Sequence, residues 1–202
     1  MLIGLCAKKR SGKDVMADYL IENYGFNKYS LAAPLKKAVC IIFNWDYDTV
    51  EKNENKEKID PLYGISYRQA CQSIGTNWGQ LSLCENYPLF KEITGRKLWV
   101  KNFIQYYINN KDKNIVIADV RFPHEADAIK ALGGKIIKIQ RSSLENNDTH
   151  ESEQYIDTIK GDIIENNSTL DDFYKTIDNY MKELKSKNNK YPLLFKSFDK
   201  KL

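Results

Sequence analysis

The 202-residue chain contains no apolar run approaching the roughly 20 residues needed to span a bilayer, so no membrane-crossing helix is expected. Its four cysteines, Cys6, Cys40, Cys71 and Cys84, lack the paired spacing of a metal site, and reduced, mostly buried thiols are expected. Charge of one sign is not in excess either: 31 Lys and Arg stand against 27 Asp and Glu, a net +4 spread along the chain. That balance suits small phosphate anions and does not call for a nucleic-acid partner. There is no internal repeat. The first residues already read as a strand, which leaves no room for a signal peptide and points to a cytoplasmic protein.

What is present is concentrated at the start. Leu2–Cys6 is a short apolar run, Ala7–Asp14 a cationic loop containing Gly12 and Lys13, and Val15–Tyr24 a segment of helical period. Strand, tight loop and helix in that order form the phosphate cradle of P-loop nucleotide enzymes. Free backbone N–H groups at the helix start and the positive end of its dipole converge on the loop. Lys13 can reach the terminal phosphates of a nucleoside triphosphate. Two positions depart from the consensus: Ala7 replaces the first glycine, where a positive φ would be costlier, and Asp14 replaces the usual Ser or Thr. Lys8, Lys9 and Arg10 offset the added carboxylate. The competing reading of this loop is a basic region at the start of an ordinary helix.

Further on, strands alternate with helical segments. Phe26–Ser30, Ile115–Asp119, Lys135–Ile139 and Asp162–Glu165 read as strands. Pro34–Phe43, Tyr67–Ile74, Leu98–Ile108, Pro123–Leu132 and Thr169–Leu184 read as helices. In the last helix Leu170, Phe173, Ile177, Tyr180, Met181 and Leu184 share one face. Glu51–Asp60 is charged and aperiodic, an exposed helix end or loop. The expectation is a three-layer α/β domain of the P-loop type, with a mostly parallel five-stranded sheet.

Four groups of residues could carry chemistry. Asp119 closes a buried strand and Arg121 follows two residues on: either a magnesium-organising carboxylate with a phosphate clamp, or a structural ion pair. Ser30–Lys36 follows the second strand with small residues, and Lys36 could reach an acceptor phosphate or simply be solvated. Arg68, Gln72 and Thr76 are four apart and can project from one helix face, with Trp78 beyond. A cation, an amide and a hydroxyl together could recognise a phosphorylated nucleoside, but by type alone the solvated stripe, where Arg and Gln are common, is the favoured reading. Arg141 ends a strand and precedes the polar run Asn147–Glu153, which suits a mobile lid over phosphates or a packed loop.

Together these segments resemble the deoxynucleoside monophosphate kinases of large phages and large DNA viruses, within the P-loop nucleoside monophosphate kinase superfamily. The resemblance runs from Ile3 to about Leu184. It rests on Ala-Lys-Lys-Arg-Ser-Gly-Lys-Asp, Leu-Ala-Ala-Pro-Leu-Lys, Gln-Ser-Ile-Gly-Thr, Trp-Val-Lys, Ala-Asp-Val-Arg-Phe-Pro-His-Glu and Asn-Asp-Thr-His-Glu-Ser-Glu, in that order. It implies ATP as phosphoryl donor, Mg2+, and a deoxynucleoside monophosphate as acceptor. Lys9, Arg10, Ser11, Gly12, Lys13 and Asp14 would hold the donor, with Asn166 near its base. Lys13, Asp119, Arg121 and Arg141 would be catalytic. Lys36, Arg68, Gln72, Thr76 and Trp78 would lie on the acceptor side, Asp148, His150 and Glu153 in the lid. Asp14 and Asp119 are the candidate magnesium ligands, directly or through water. Val15 stands where relatives often carry a hydroxyl, and Gln80 in a region where many carry arginine.

The expected organisation is one kinase domain over 1–185, with a helical acceptor insertion about 45–110 and a lid about 141–160. Residues 186–202 form a tail that packs on the body or on a second subunit, making a homodimer one expected assembly. An animal-type phosphomevalonate kinase shares the loop and the Pro-Leu-Lys element and is the alternative enzyme. A non-catalytic nucleotide-binding or DNA-associated protein is the alternative outside catalysis.

Overall fold

Six consecutive buried residues, Leu2–Ala7, form strand β1, and a run apolar on both faces belongs in the middle of a parallel sheet. In the computed structural model, which describes residues 1–52, 54–142 and 155–190 (side chains through Ser186), β1 does lie there. It pairs with β3 (Asn114–Ile117) on one side and β4 (Lys135–Gln140) on the other. β2 (Phe26–Tyr29) pairs with β3, and β5 (Asp162–Glu165) with β4. The order among the described residues is β2-β3-β1-β4-β5, and every pairing is parallel, as the alternation of strands and helices predicts.

The chain divides into two units, Met1–Tyr29 with Asp112–Leu202, and Ser30–Lys111. In the first, the sheet is covered on both faces. Ile3 and Leu5 point to one face, where α1 (Lys13–Tyr24) contributes Met16, Ala17 and Leu20. The last helix of the described chain, α9 (Leu170–Lys190), adds Phe173, Ile177, Met181 and Leu184 to the same core. Gly4, between Ile3 and Leu5, points to the opposite face by the strand's period of two. A Cβ there would lie 2.8 Å from Ile136 Cδ1 and 2.9 Å from Ile129 Cδ1, so the absence of a side chain lets α8 (Pro123–Ala131) approach β1. The last helix runs past the expected Leu184, and Leu170, expected on its apolar face, is 52% exposed.

The second unit is helical. It comprises α2 (Ala33–Ile42), α3 (Tyr47–Val50), α4 (Tyr67–Gln72), α5 (Leu83–Asn86), α6 (Pro88–Ile93) and α7 (Leu98–Ile108). Leu35, Val39 and Cys40 of α2 pack with Tyr67 and Ala70 of α4, flanked by half-buried Phe43, Trp45 and Trp99. The helix expected over Tyr67–Ile74 does not stop: after α4 it continues as a π-helix, Ser73–Ser82. There the indole N–H of Trp99 donates to the carbonyl of Gly75 at 3.0 Å, a tertiary contact made inside the widened helix. With bonds running i to i+5, the four-residue spacing of Arg68, Gln72 and Thr76 no longer keeps one face beyond Gln72.

Candidate active site

In a parallel sheet of this kind ligands bind beyond the carboxyl ends of the strands. Four groups of candidate residues hang from those ends within the sheet unit. Ala7 of β1 leads into the loop to Lys13, β3 into Asp119 and Arg121, β4 into Arg141, and β5 into Asn166. Arg10, Gly12, Lys13, Asp14, Arg141 and Asn166 line one cavity of about 380 Å³, together with Val15, Ser168 and Leu170. Three cations face one carboxylate in that lining, so the cavity is electropositive.

The loop's backbone explains its sequence. Ala7 closes β1 as an ordinary strand residue; positive φ falls instead on Arg10, at 66°, and on Gly12, at 101°. The substitution at position 7 therefore does not strain the turn. Gly12 is required twice over, since a Cβ on it would also come within 2.4 Å of Asn166 Nδ2. Gly12, at the N-cap of α1, offers no side chain to the first turn, and an anion there would meet the positive end of the helix dipole.

The four loop cations separate. Lys8 turns away to pair with Asp157 at 2.8 Å, and Lys9 is exposed and does not line the cavity. Lys13 Nζ lies 2.9 Å from Asp14 Oδ2. That carboxylate is 64% exposed, and a solvated pair of this kind contributes about 0–1 kcal/mol, too little to keep Lys13 from a phosphate. Ser11 is buried, and its carbonyl accepts from Asn166 Nδ2 at 3.0 Å.

Asp119 and Arg121 sit beyond β3, partly buried, and do not line this cavity. The turn they occupy is held by Glu125, which no sequence expectation singled out. Glu125 is buried, and its Oε2 accepts from the N–H of Arg121 at 2.8 Å and of Phe122 at 3.0 Å. Burial pushes its carboxyl up to about 7 against the pull of those two amides. The signal available in sequence was the Pro-His-Glu opening of α8, which places an acid at its third position.

In the helical unit, Lys36 Nζ donates to Glu51 Oε2 at 2.9 Å, and Lys56 approaches the same oxygen at 3.6 Å. Burial acts to raise the Glu51 carboxyl, but the Lys36 hydrogen bond and the two ammonium charges outweigh it and hold it below its ordinary range. The charged stretch read as exposed is thus partly folded into this unit. Arg68 pairs with Glu57, Gln72 and Thr76 are half-buried, and Trp78 is 49% exposed. Asp148, His150 and Glu153 lie outside the described residues, as does the tail beyond Lys190.

For a magnesium ion, the cavity offers Asp14, a hard oxygen ligand in the first turn of α1. One or two carboxylates plus substrate phosphates and water are what Mg2+ commonly takes. Among the described residues no cluster of three or more metal-ligating side chains exists, and no helix is long and apolar enough to cross a membrane. The residues present fit a substrate-borne magnesium rather than an all-protein cage.

Comparison with known proteins finds a matching family model and several relatives. A family model described as deoxynucleotide monophosphate kinase matches residues 1–76 and 89–177. A protein of Acanthamoeba polyphaga mimivirus is 39% identical over 186 residues, covering 88% of this chain and 94% of its own length. The deoxynucleotide monophosphate kinase of Enterobacteria phage T4 is 26% identical over 239 residues, covering 91% and 99%. Among solved structures, a dephospho-CoA kinase from Campylobacter jejuni aligns over 93% of this chain and 98% of its own, at 16% identity and a TM-score of 0.49.

Proposed function

This chain belongs to the deoxynucleotide monophosphate kinase family, and from that premise we propose that it moves the γ-phosphoryl group of ATP onto a deoxynucleoside monophosphate. An oxygen of the acceptor's 5′-phosphate attacks the γ-phosphorus. The bond from that phosphorus to the β–γ bridging oxygen breaks, and ADP leaves as the deoxynucleoside diphosphate forms. The observation that supports this most is the electropositive cavity at the start of α1, lined by Arg10, Lys13 and Arg141.

In this reading Lys13 and the loop amides neutralise the donor phosphates, with Ser11 and Gly12 shaping the turn. Arg10 and Arg141 offset charge that develops on the transferring group, a contribution of a few kcal/mol where such donors are pre-organised, about 3–4 kcal/mol for one well-placed donor. Asp119 and Arg121 serve the reaction centre by their family resemblance, Lys36, Arg68, Gln72, Thr76 and Trp78 the acceptor. Asp14 would hold magnesium together with the phosphates, with Asp119 as a second carboxylate, and the ion would supply further neutralisation of phosphate charge. The cytoplasm of a host cell is the proposed setting.

A coupled ADP-release assay with ATP and magnesium tests this, using dTMP, dGMP, dCMP, dAMP, their ribose forms and phosphomevalonate as acceptors. Release stimulated by at least one deoxynucleotide is expected. Stimulation by phosphomevalonate alone, or by none of them despite measurable ATP binding, would overturn the reading.

A further inference from the structure

Two consecutive asparagines beyond β5 bond to the two segments that bring Gly12 and Arg141 to the cavity. Asn166 Nδ2 donates to the carbonyl of Ser11 at 3.0 Å, on the P-loop. Asn167 Oδ1 accepts from the N–H of Ser142 at 2.7 Å, the residue that follows Arg141. The partners lie 155 and 25 residues away in the chain, so these are not the local side-chain turns that asparagine commonly makes.

The backbone sets this up. Gln140 and Glu165 are partners in the β4–β5 register, and the Asn166 N–H extends the ladder by donating to the Gln140 carbonyl at 2.8 Å. Arg141 and the asparagines therefore leave adjacent strand ends together. Glu165 Oε2 accepts from Asn167 Nδ2 at 3.3 Å, which orients that amide with its oxygen toward Ser142. Neither asparagine is needed to start α9. Thr169 does that, its hydroxyl oxygen accepting from the Asp172 N–H at 3.2 Å, and its hydroxyl together with that of Ser168 donates to Asp172 Oδ2.

We propose that Asn166 and Asn167 form a bracket that fixes the P-loop and the Arg141 segment relative to each other, with Asn167 acting as a positioning residue for phosphoryl transfer. The proposal rests on the reading of Arg141 as a group that acts on the transferring phosphate. Asn166 holds the loop where Gly12 turns, and Asn167 holds the main chain from which the Arg141 guanidinium projects. A side chain of Arg141's length depends on its backbone for aim, and misplacement of a catalytic group by a fraction of the bond length it must reach is costly in rate.

The test is a double-mutant cycle on the full chain, Asn167→Ala and Arg141→Ala, singly and together, read as kcat, KM for ATP and thermal midpoint. Asn167→Ala alone should lower kcat by about threefold to tenfold, with KM for ATP changing by less than about twofold and the midpoint by less than about two degrees. In the Arg141→Ala background the same change should cost less than about twofold, because the residue it positions is gone. An equal penalty in both backgrounds, or none in the parent, overturns the bracket alone. An Arg141→Ala enzyme with parental kcat overturns the reading of Arg141 and the bracket with it.

Discussion

The two units of the molecule place their charged groups by different means. In the sheet unit, Arg141 and Asn166 stand just beyond the ends of β4 and β5 and Lys13 at the end of the loop that follows β1, so backbone conformation determines where they emerge. In the helical unit, Lys36 and Arg68 are held by other side chains, Glu51 and Glu57, which come from an aperiodic stretch. A backbone-placed group survives many changes around it, whereas a side-chain-placed group depends on one partner. The sheet unit should thus be sensitive to changes in the groups themselves and in backbone conformation, the helical unit to loss of a partner.

The largest effect is expected at Lys13. Lys13→Ala removes the ammonium without touching the core, and kcat should fall about a thousandfold or more with an unchanged thermal midpoint. Near-normal turnover would break the assignment of the cavity. Gly12→Ala comes next: it places a Cβ at φ 101° and against the Asn166 amide. Here kcat/KM for ATP should drop on the order of a hundredfold, with about 1–3 kcal/mol of stability lost in urea unfolding. Parental values for both would show that the loop is not fixed by its backbone.

Glu125 gives a pH signature. Its folded-state carboxyl is raised to about 7 by burial, above its ordinary range, so the folded protein binds the proton more tightly than the unfolded chain. Stability from this group is present in full below the unfolded value and is lost as pH rises through about 7. Relative to Glu125→Gln, the parent should therefore gain about 2 kcal/mol between pH 8 and pH 5 in urea unfolding. A pH-independent difference would mean that the carboxyl titrates normally. The smallest effect is expected in the helical unit, from Glu51→Gln. It loosens Lys36 and should raise KM for the deoxynucleotide about fivefold while KM for ATP moves less than about twofold. An equal rise in both would erase the contrast between the units.

The central strands were readable because buried parallel strands are short, continuous apolar runs: Ile115–Asp119 overran only at Ala118 and Asp119, where the ladder ends, while Asp162–Glu165, a mostly exposed edge strand, has the expected bounds. The loop motif likewise carried Arg10, Gly12, Lys13 and Asp14 into one cavity, because a strand-loop-helix turn leaves them few other places to go. The π-helix was not readable, since Ser73–Ser82 keeps no period of its own and depends on distant Trp99. Asn167 was invisible for a related reason: it acts on a backbone N–H, and no residue type in the sequence marks an amide that needs a partner, whereas Glu125 could have been found from its third position in α8. Lys8 shows the converse, a basic residue inside the motif whose ammonium is committed to Asp157.

The most direct test of the account follows the phosphorus itself. The protein is incubated with γ-labelled ATP, magnesium and a deoxynucleoside monophosphate, and the label is located among the products for the parent and for Lys13→Ala. Label is expected on the β-phosphate of the deoxynucleoside diphosphate in the parent and is lost in the variant. Label found only in inorganic phosphate, or transfer that persists without Lys13, would contradict it.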